Sequence, residues 1–172
     1  SGAMTATTRS WRTGSSTEAR LWRASSSTEA RRWRTRSPAE TRRVGEELLP
    51  ELLPARTLLL LGDLAAGKTV LAQGVATGLG ISPEEVQSPT YTLVREHEGE
   101  RGRLLHLDLY RLDPAQAAAL GLEEILERPA VKVVEWAERL PLRVPDALVL
   151  ELRQVARDGG EEREIHELIG WP

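Results

Sequence analysis

"GDLAAGKT", residues 62–69, directly follows the apolar run Leu58, Leu59, Leu60, Leu61. Gly62, four free positions, Gly67, Lys68 and Thr69 make the pattern of a P-loop, in which backbone N–H groups at a helix N-terminus surround phosphates. A short continuous apolar run reads as a buried parallel strand, and Leu71, Val75 and Leu79 then recur at helical spacing. Gly78 and Gly80 supply the stop. Strand, glycine-bounded loop and helix in this order predict an α/β chain built around an anion seat; the plain alternative is a glycine turn that holds nothing.

Lysine usage favours the seat. The chain carries 21 arginines and only two lysines, Lys68 and Lys132, and one of the two ends this loop. A compact ammonium on a thin stem reaches between outer phosphates, where a planar, forked guanidinium is bulkier. The reading assigns Asp63, Leu64, Ala65, Ala66, Gly67, Lys68, Thr69 and Val70 to the nucleotide, with the Thr69 hydroxyl on magnesium.

Composition narrows the classes. At 172 residues and 40% hydrophobic content the chain holds one ordinary core. No apolar stretch approaches the roughly 20 residues that cross a bilayer, and no secretory segment opens the chain, so no membrane partner is expected. The absence of cysteine removes disulfides and thiolate chemistry and fits a cytoplasmic protein. Charge is unevenly divided: residues 1–43 sum to +7 within a chain of net charge −3, a basic arm before an acidic body.

Ser1 to Met4 read as a tag scar, and three eleven-residue units then run in register from Trp11, Trp22 and Trp33. Each carries a capping-box pattern, Ser15 with Glu18, Ser26 with Glu29 and Ser37 with Glu40, but only the third leads into a convincing helix. The expected division is therefore 1–32 as scar and repeat arm, and 33–172 as the folded domain. Within the latter a strand is expected around Trp33 to Thr35 and a helix from Pro38 to Leu49, ended by Pro50. The tryptophan and arginine of the arm could stack on bases and neutralise phosphates; a solvated duplicated segment is the bland account.

Downstream, Tyr91 to Val94 and Arg103 to Leu109 are strand-like, with "EGERG" as the turn of a hairpin. Asp108 ends the apolar run of the second strand, where a carboxylate on the metal would stand. Asp113, Pro114 and Gln116 cap a helix that Gly121 breaks in two. Val131, Val133 and Val134 mark a further strand with Glu135 and Trp136 at its carboxyl end, the edge where ligands bind in parallel sheets. Glu135 could orient the attacking water or hold a magnesium-bound water. Thr90 and Thr92, after Ser88 and Pro89, could reach the terminal phosphate as a mobile loop; a turn reads nearly as well. "DALVLEL" and "EREIHELIG" read as closing, antiparallel strands. His97, His106 and His166 lack metal-site spacing and are assigned to surface or sheet positions.

"GDLAAGKT", "SPTYTLV", "HLDLYRL" and "VEW", in that order and spacing, resemble the TsaE family, the bacterial P-loop ATPases that work with TsaB and TsaD to make threonylcarbamoyladenosine in tRNA. The likeness spans residue 33 to about residue 170. It implies a P-loop NTPase fold, with a mainly parallel central sheet flanked by helices and antiparallel strands at the edges. It also implies ATP and Mg2+ as cofactors and TsaD and TsaB homologues as partners; tRNA is expected to be met indirectly or through the basic arm, whose first two units lie outside the likeness. By the same resemblance Lys68 and Thr69 match the phosphate and magnesium residues, Asp108 the magnesium-side acid, Glu135 the glutamate needed for hydrolysis, Trp136 its neighbour near the nucleotide, and Thr90 with Thr92 the switch-like loop. Arg111 matches an arginine serving either ATP or the partner surface. Ala65 stands where the family usually has glycine; at positive φ it costs about 1 kcal/mol, at negative φ nothing.

Two other classes share these features: a small-molecule P-loop kinase, which wants an arginine-rich lid and a second substrate pocket, and a nucleotide-dependent assembly switch that never hydrolyses. A GTPase is disfavoured because no "NKxD" motif reads guanine.

Overall fold

Strand β2 (Thr57–Leu61) has all five residues buried, so it must lie inside a sheet covered on both faces. The computed structural model, which describes residues 30–63, 66–87, 93–155, 160 and 162–171, places it there. The other strands are β1 (Arg32–Thr35), β3 (Val94–Gly99), β4 (Gly102–Asp108), β5 (Val131–Glu135), β6 (Leu148–Gln154) and β7 (Arg163–Glu167). The order across the sheet is β1-β7-β6-β2-β5-β4-β3. The central four, β6, β2, β5 and β4, run parallel; β7 pairs antiparallel with β6, β1 antiparallel with β7, and β3 antiparallel with β4.

The two-residue alternation of the strands divides the core. Leu58 and Leu60 face α1 (Pro38–Leu52) and α2 (Lys68–Gly78), together with Leu48, Leu71 and Val75. Leu59 and Leu61 face the short helices α3 (Pro114–Leu120) and α4 (Leu122–Leu126), together with Leu105, Leu107 and Val134. Among the described residues no helix is long and apolar enough to cross a membrane.

Three expectations change at the boundaries. Helix α1 does not stop before Pro50 but carries it inside and ends at Leu52. Proline there forgoes a single N–H close to the helix end, and the burial of Leu48, Leu49 and Leu52 outweighs that loss. Of the expected strand Tyr91 to Val94, Tyr91 and Thr92 lie outside the described residues; β3 continues past Val94 through Arg95, Glu96, His97 and Glu98 to Gly99, and the turn shrinks to Glu100 and Arg101. Charged residues suit an edge strand, whose outer rim stays unpaired. Strand β6, expected to close the sheet antiparallel, pairs parallel with β2 and is antiparallel only to β7. Its residues Leu148 to Glu151 are all buried, as a position between two strands requires.

Helices α1 and α2 meet through glycine. A Cβ on Gly74 would fall on the Arg42 carbonyl, and one on Gly45 on the Leu71 carbonyl, so the two backbones touch. This contact presses the helix that begins at Lys68 against the sheet. The second lysine works beneath: buried Lys132 donates to the carbonyls of Ala55 (2.8 Å) and Arg128 (2.7 Å), tying two loops together.

Gly74→Ala decides how tight the contact is. Alanine gains about 1 kcal/mol of helix propensity over glycine, but overpacking against an unyielding backbone costs about 1–3 kcal/mol or more. Urea denaturation should show a net loss of stability; a variant as stable as the parent would mean that the helices do not approach this closely.

Candidate functional site

Both glycines of the loop are positional. Gly62 (φ 134°) and Gly67 (φ 99°) hold backbone conformations that side chains resist, and a Cβ on Gly62 would strike the Leu152 carbonyl of β6. The chain therefore leaves β2 along β6 and turns into α2 with Gly67 as the cap residue. The first N–H groups of α2, which have no partner within the helix, then stand beyond the carboxyl end of β2.

Lys68, the first residue of α2, is 5% exposed. Its Nζ donates to the carbonyls of Gly62 and Asp63, each at 2.6 Å, and lies 4.2 Å from the centre of the Trp136 ring. Burial pushes its pKa below the ordinary lysine value, against the pull of Glu138, Glu135, Asp108 and Asp63. Trp136 reaches over the lysine because it leaves β5 in the left-handed region (φ 58°, ψ 44°), a costly conformation for a bulky residue. Tyr110 packs on the indole at 4.9 Å, and the Arg139 guanidinium lies 5.5 Å from the Tyr110 ring.

Thr69 faces the neighbouring strands. Its hydroxyl lies 2.8 Å from Oε1 and 2.9 Å from Oε2 of Glu135, a side chain 3% exposed. Strand register sets Asp108 directly beside Glu135, on the same face, and Asp108 is also buried. The Tyr110 N–H donates to Asp108 Oδ1 at 3.0 Å. His106, two residues before Asp108 and fully buried, contacts Glu135 Oε2 through Nε2 at 2.5 Å.

The structure thus gathers Asp63, Ala66, Gly67, Lys68, Thr69, Asp108, Glu135 and Trp136 at one corner. Val70 sits just behind, lining a cavity of about 50 Å³ with Pro38, Thr41, Gly67 and Arg163. Leu64, Ala65, Ser88, Pro89, Thr90, Thr92 and the repeat arm up to residue 29 lie outside the described residues. Arg111 is described but sits on the turn after β4, away from any role the geometry fixes.

Several residues go beyond the sequence reading. The three histidines do occupy strands, yet His106 belongs to the site; the two-residue spacing to Asp108 was the signal. Glu138, in the 3-10 turn after Trp136, accepts from the Gly62 N–H through Oε2 at 3.3 Å, while its buried Oε1 has no partner among the described residues. Arg163 comes from β7, far along the chain, and no local pattern announces it.

The donor set suits a hard divalent cation carried by phosphates. Magnesium takes one or two carboxylates and a hydroxyl and keeps its remaining positions for water and phosphate oxygen. Thr69 and Asp108 would supply direct ligands and Glu135 a hold on one of the waters, and among the described residues no group of three or more acidic or histidine ligands forms a closed metal cage.

A mainly parallel sheet whose central strand turns through this loop into a helix opening with lysine and threonine defines a P-loop NTPase fold. The family model described as "Threonylcarbamoyl adenosine biosynthesis protein TsaE" matches residues 35–165, and the chain belongs to that family. A TsaE of Nostoc sp. is 42% identical over 123 residues, covering 69% of this chain and 75% of the relative. The TsaE of Bacillus subtilis is 38% identical over 112 residues, 65% of this chain and 68% of its own. The crystal structure of Bacillus subtilis YdiB superposes with a TM-score of 0.64 at 31% identity, covering 81% of this chain and 84% of that one. The chain is accordingly a member of a family of tRNA threonylcarbamoyladenosine biosynthesis proteins.

Burial raises the Glu138 carboxyl above its ordinary value of 4.5. The folded chain then holds the proton more tightly than the unfolded one, so this contribution to stability is full below the unfolded value and is lost as pH rises through the folded value. Glu138→Gln keeps an acceptor for Gly62. Its stability relative to the parent should rise as pH increases above the ordinary carboxyl value of 4.5 in urea denaturation; a difference independent of pH would contradict the assignment.

Proposed function

We propose that this chain is the ATP-hydrolysing subunit of the tRNA threonylcarbamoyladenosine machinery, acting with TsaB and TsaD homologues. One observation carries the reading: Lys68 and Thr69 open α2 against the buried pair Asp108 and Glu135, all at the carboxyl edge of the parallel strands.

The residues divide the chemistry as follows. Backbone N–H groups of the loop and of the first turn of α2 bind the phosphates, and Lys68 Nζ exchanges its two carbonyl partners for their oxygens. Thr69 and Asp108 would hold Mg2+, with Glu135 on one of its waters, and the ion supplies charge neutralisation on the phosphates. The Thr69 hydroxyl must leave Glu135 to do so, which frees a carboxylate oxygen to orient water. Water attacks the γ-phosphorus in line; the bond from γ-phosphorus to the bridging oxygen breaks, and ADP and inorganic phosphate leave with the water's proton. Positioning and preorganised charge account for most of the acceleration. Trp136 covers Lys68 and excludes solvent from it.

Membership in a tRNA-modification family supports hydrolysis coupled to that pathway over phosphorylation of a metabolite. In the coupled reading hydrolysis drives turnover of the assembly and does not form the modified base. tRNA is met indirectly or through the basic arm.

Steady-state ATPase assays with and without TsaB and TsaD homologues test this. Low turnover alone and stimulation by the pair are expected, with Lys68→Ala and Glu135→Ala each lowering kcat by about 100-fold or more. Fast hydrolysis by the isolated chain, indifferent to the pair and to Glu135→Ala, would contradict it.

A further inference from the structure

We propose that His106 is a positioning residue for hydrolysis: through its Nε2 proton it fixes the Oε2 atom of Glu135, leaving Oε1 for the attacking water. The inference rests on the functional reading above and adds a residue to it.

The placement begins with strand alternation. Leu104, His106 and Asp108 share one face of β4, and Leu104 packs in the core beneath α1 and α2. Register sets His106 beside Val133 and Asp108 beside Glu135, so the imidazole lies one step behind the carboxylate, on its own face. Nε2 and Oε2 are 2.5 Å apart, and the two side chains are 0% and 3% exposed. No water competes for this contact, and a hydrogen bond to a charged acceptor is short and strong when desolvated.

The tautomer follows from the surroundings. Nδ1 is buried with no hydrogen-bond partner among the described residues, whereas Nε2 abuts a carboxylate, an acceptor-only group. A proton on Nε2 satisfies the one hydrogen bond the ring makes among the described residues. A proton on Nδ1 would strand a buried donor and set two lone pairs against each other.

The two bonds to Glu135 are not equivalent. Thr69 bridges both oxygens, while His106 reaches Oε2 alone. When the threonine hydroxyl turns to a metal-bound nucleotide, Oε1 loses its only hydrogen-bond partner among the described residues and Oε2 keeps the imidazole. A carboxylate held at one oxygen cannot rotate about its last torsion without breaking that bond, so the direction in which Oε1 accepts from water is biased by β4. His106 thereby acts through Glu135 and touches no substrate.

Three variants of the full chain, assayed for ATP turnover with the TsaB and TsaD homologues, test the inference. His106→Leu should lower kcat by about 10- to 100-fold, the usual size of an effect exerted through a neighbouring ligand, with KM for ATP changed by no more than about twofold. Glutamine places its amide near Nε2, so His106→Gln should recover most of the loss; asparagine places it near Nδ1, so His106→Asn should not. Independently of activity, long-range 1H–15N spectra of the protein, which has only three histidines, should show the His106 proton on Nε2. A His106→Leu enzyme with the parent's kcat, equal losses in the leucine and glutamine variants, or a proton on Nδ1 alone would each overturn the proposal. Failure of the functional reading looks different, since the unsubstituted chain would then neither hydrolyse ATP nor respond to the pair.

Discussion

The path of the chain from β2 into α2 constrains everything else. Gly62 runs so close to the Leu152 carbonyl that no side chain fits, and Gly67 must adopt positive φ to start the helix. Together they bring Lys68 back over its own loop and aim Thr69 at the neighbouring strands. The glycine contact between α1 and α2 presses the helix onto the sheet from behind, and the parallel order β2, β5, β4 lines up Glu135 and Asp108 in front. The site is where three independent chain segments are forced to end.

The grouping is electrically expensive. Lys68, Asp108 and Glu135 are nearly out of water, and Glu138 is half-buried, with one buried oxygen lacking a partner among the described residues. Trp136 holds a strained backbone beside them. Buried ion clusters of this kind seldom improve on well-packed apolar residues as a source of stability. Their presence at a sheet edge, with a helix N-terminus alongside, accords with a site tuned for a polyanion and its cation.

Much of this was legible in the chain because it is local. The β2 run, the glycine spacing, the lysine and the α2 periodicity sit within 22 consecutive residues, 58–79, and Asp108 and Glu135 each end an apolar strand. What escaped was set by tertiary contact. Pro50 stays helical because leucines on both sides are buried. Strand β6 is parallel because it fills the gap between β2 and β7, which its own sequence does not encode. His106 gains meaning only from the β4–β5 register, and Arg163 only from the fold returning β7 to the neighbourhood of Gly67.

The central claim is that the start of α2 is a seat for a magnesium-bound adenine nucleotide. Isothermal titration of the chain with Mg-ATP addresses it most directly. The account predicts saturable uptake of one nucleotide per chain, weakened when magnesium is chelated and abolished by Lys68→Ala. No heat of binding in the presence of magnesium, or uptake unaffected by Lys68→Ala, would contradict it.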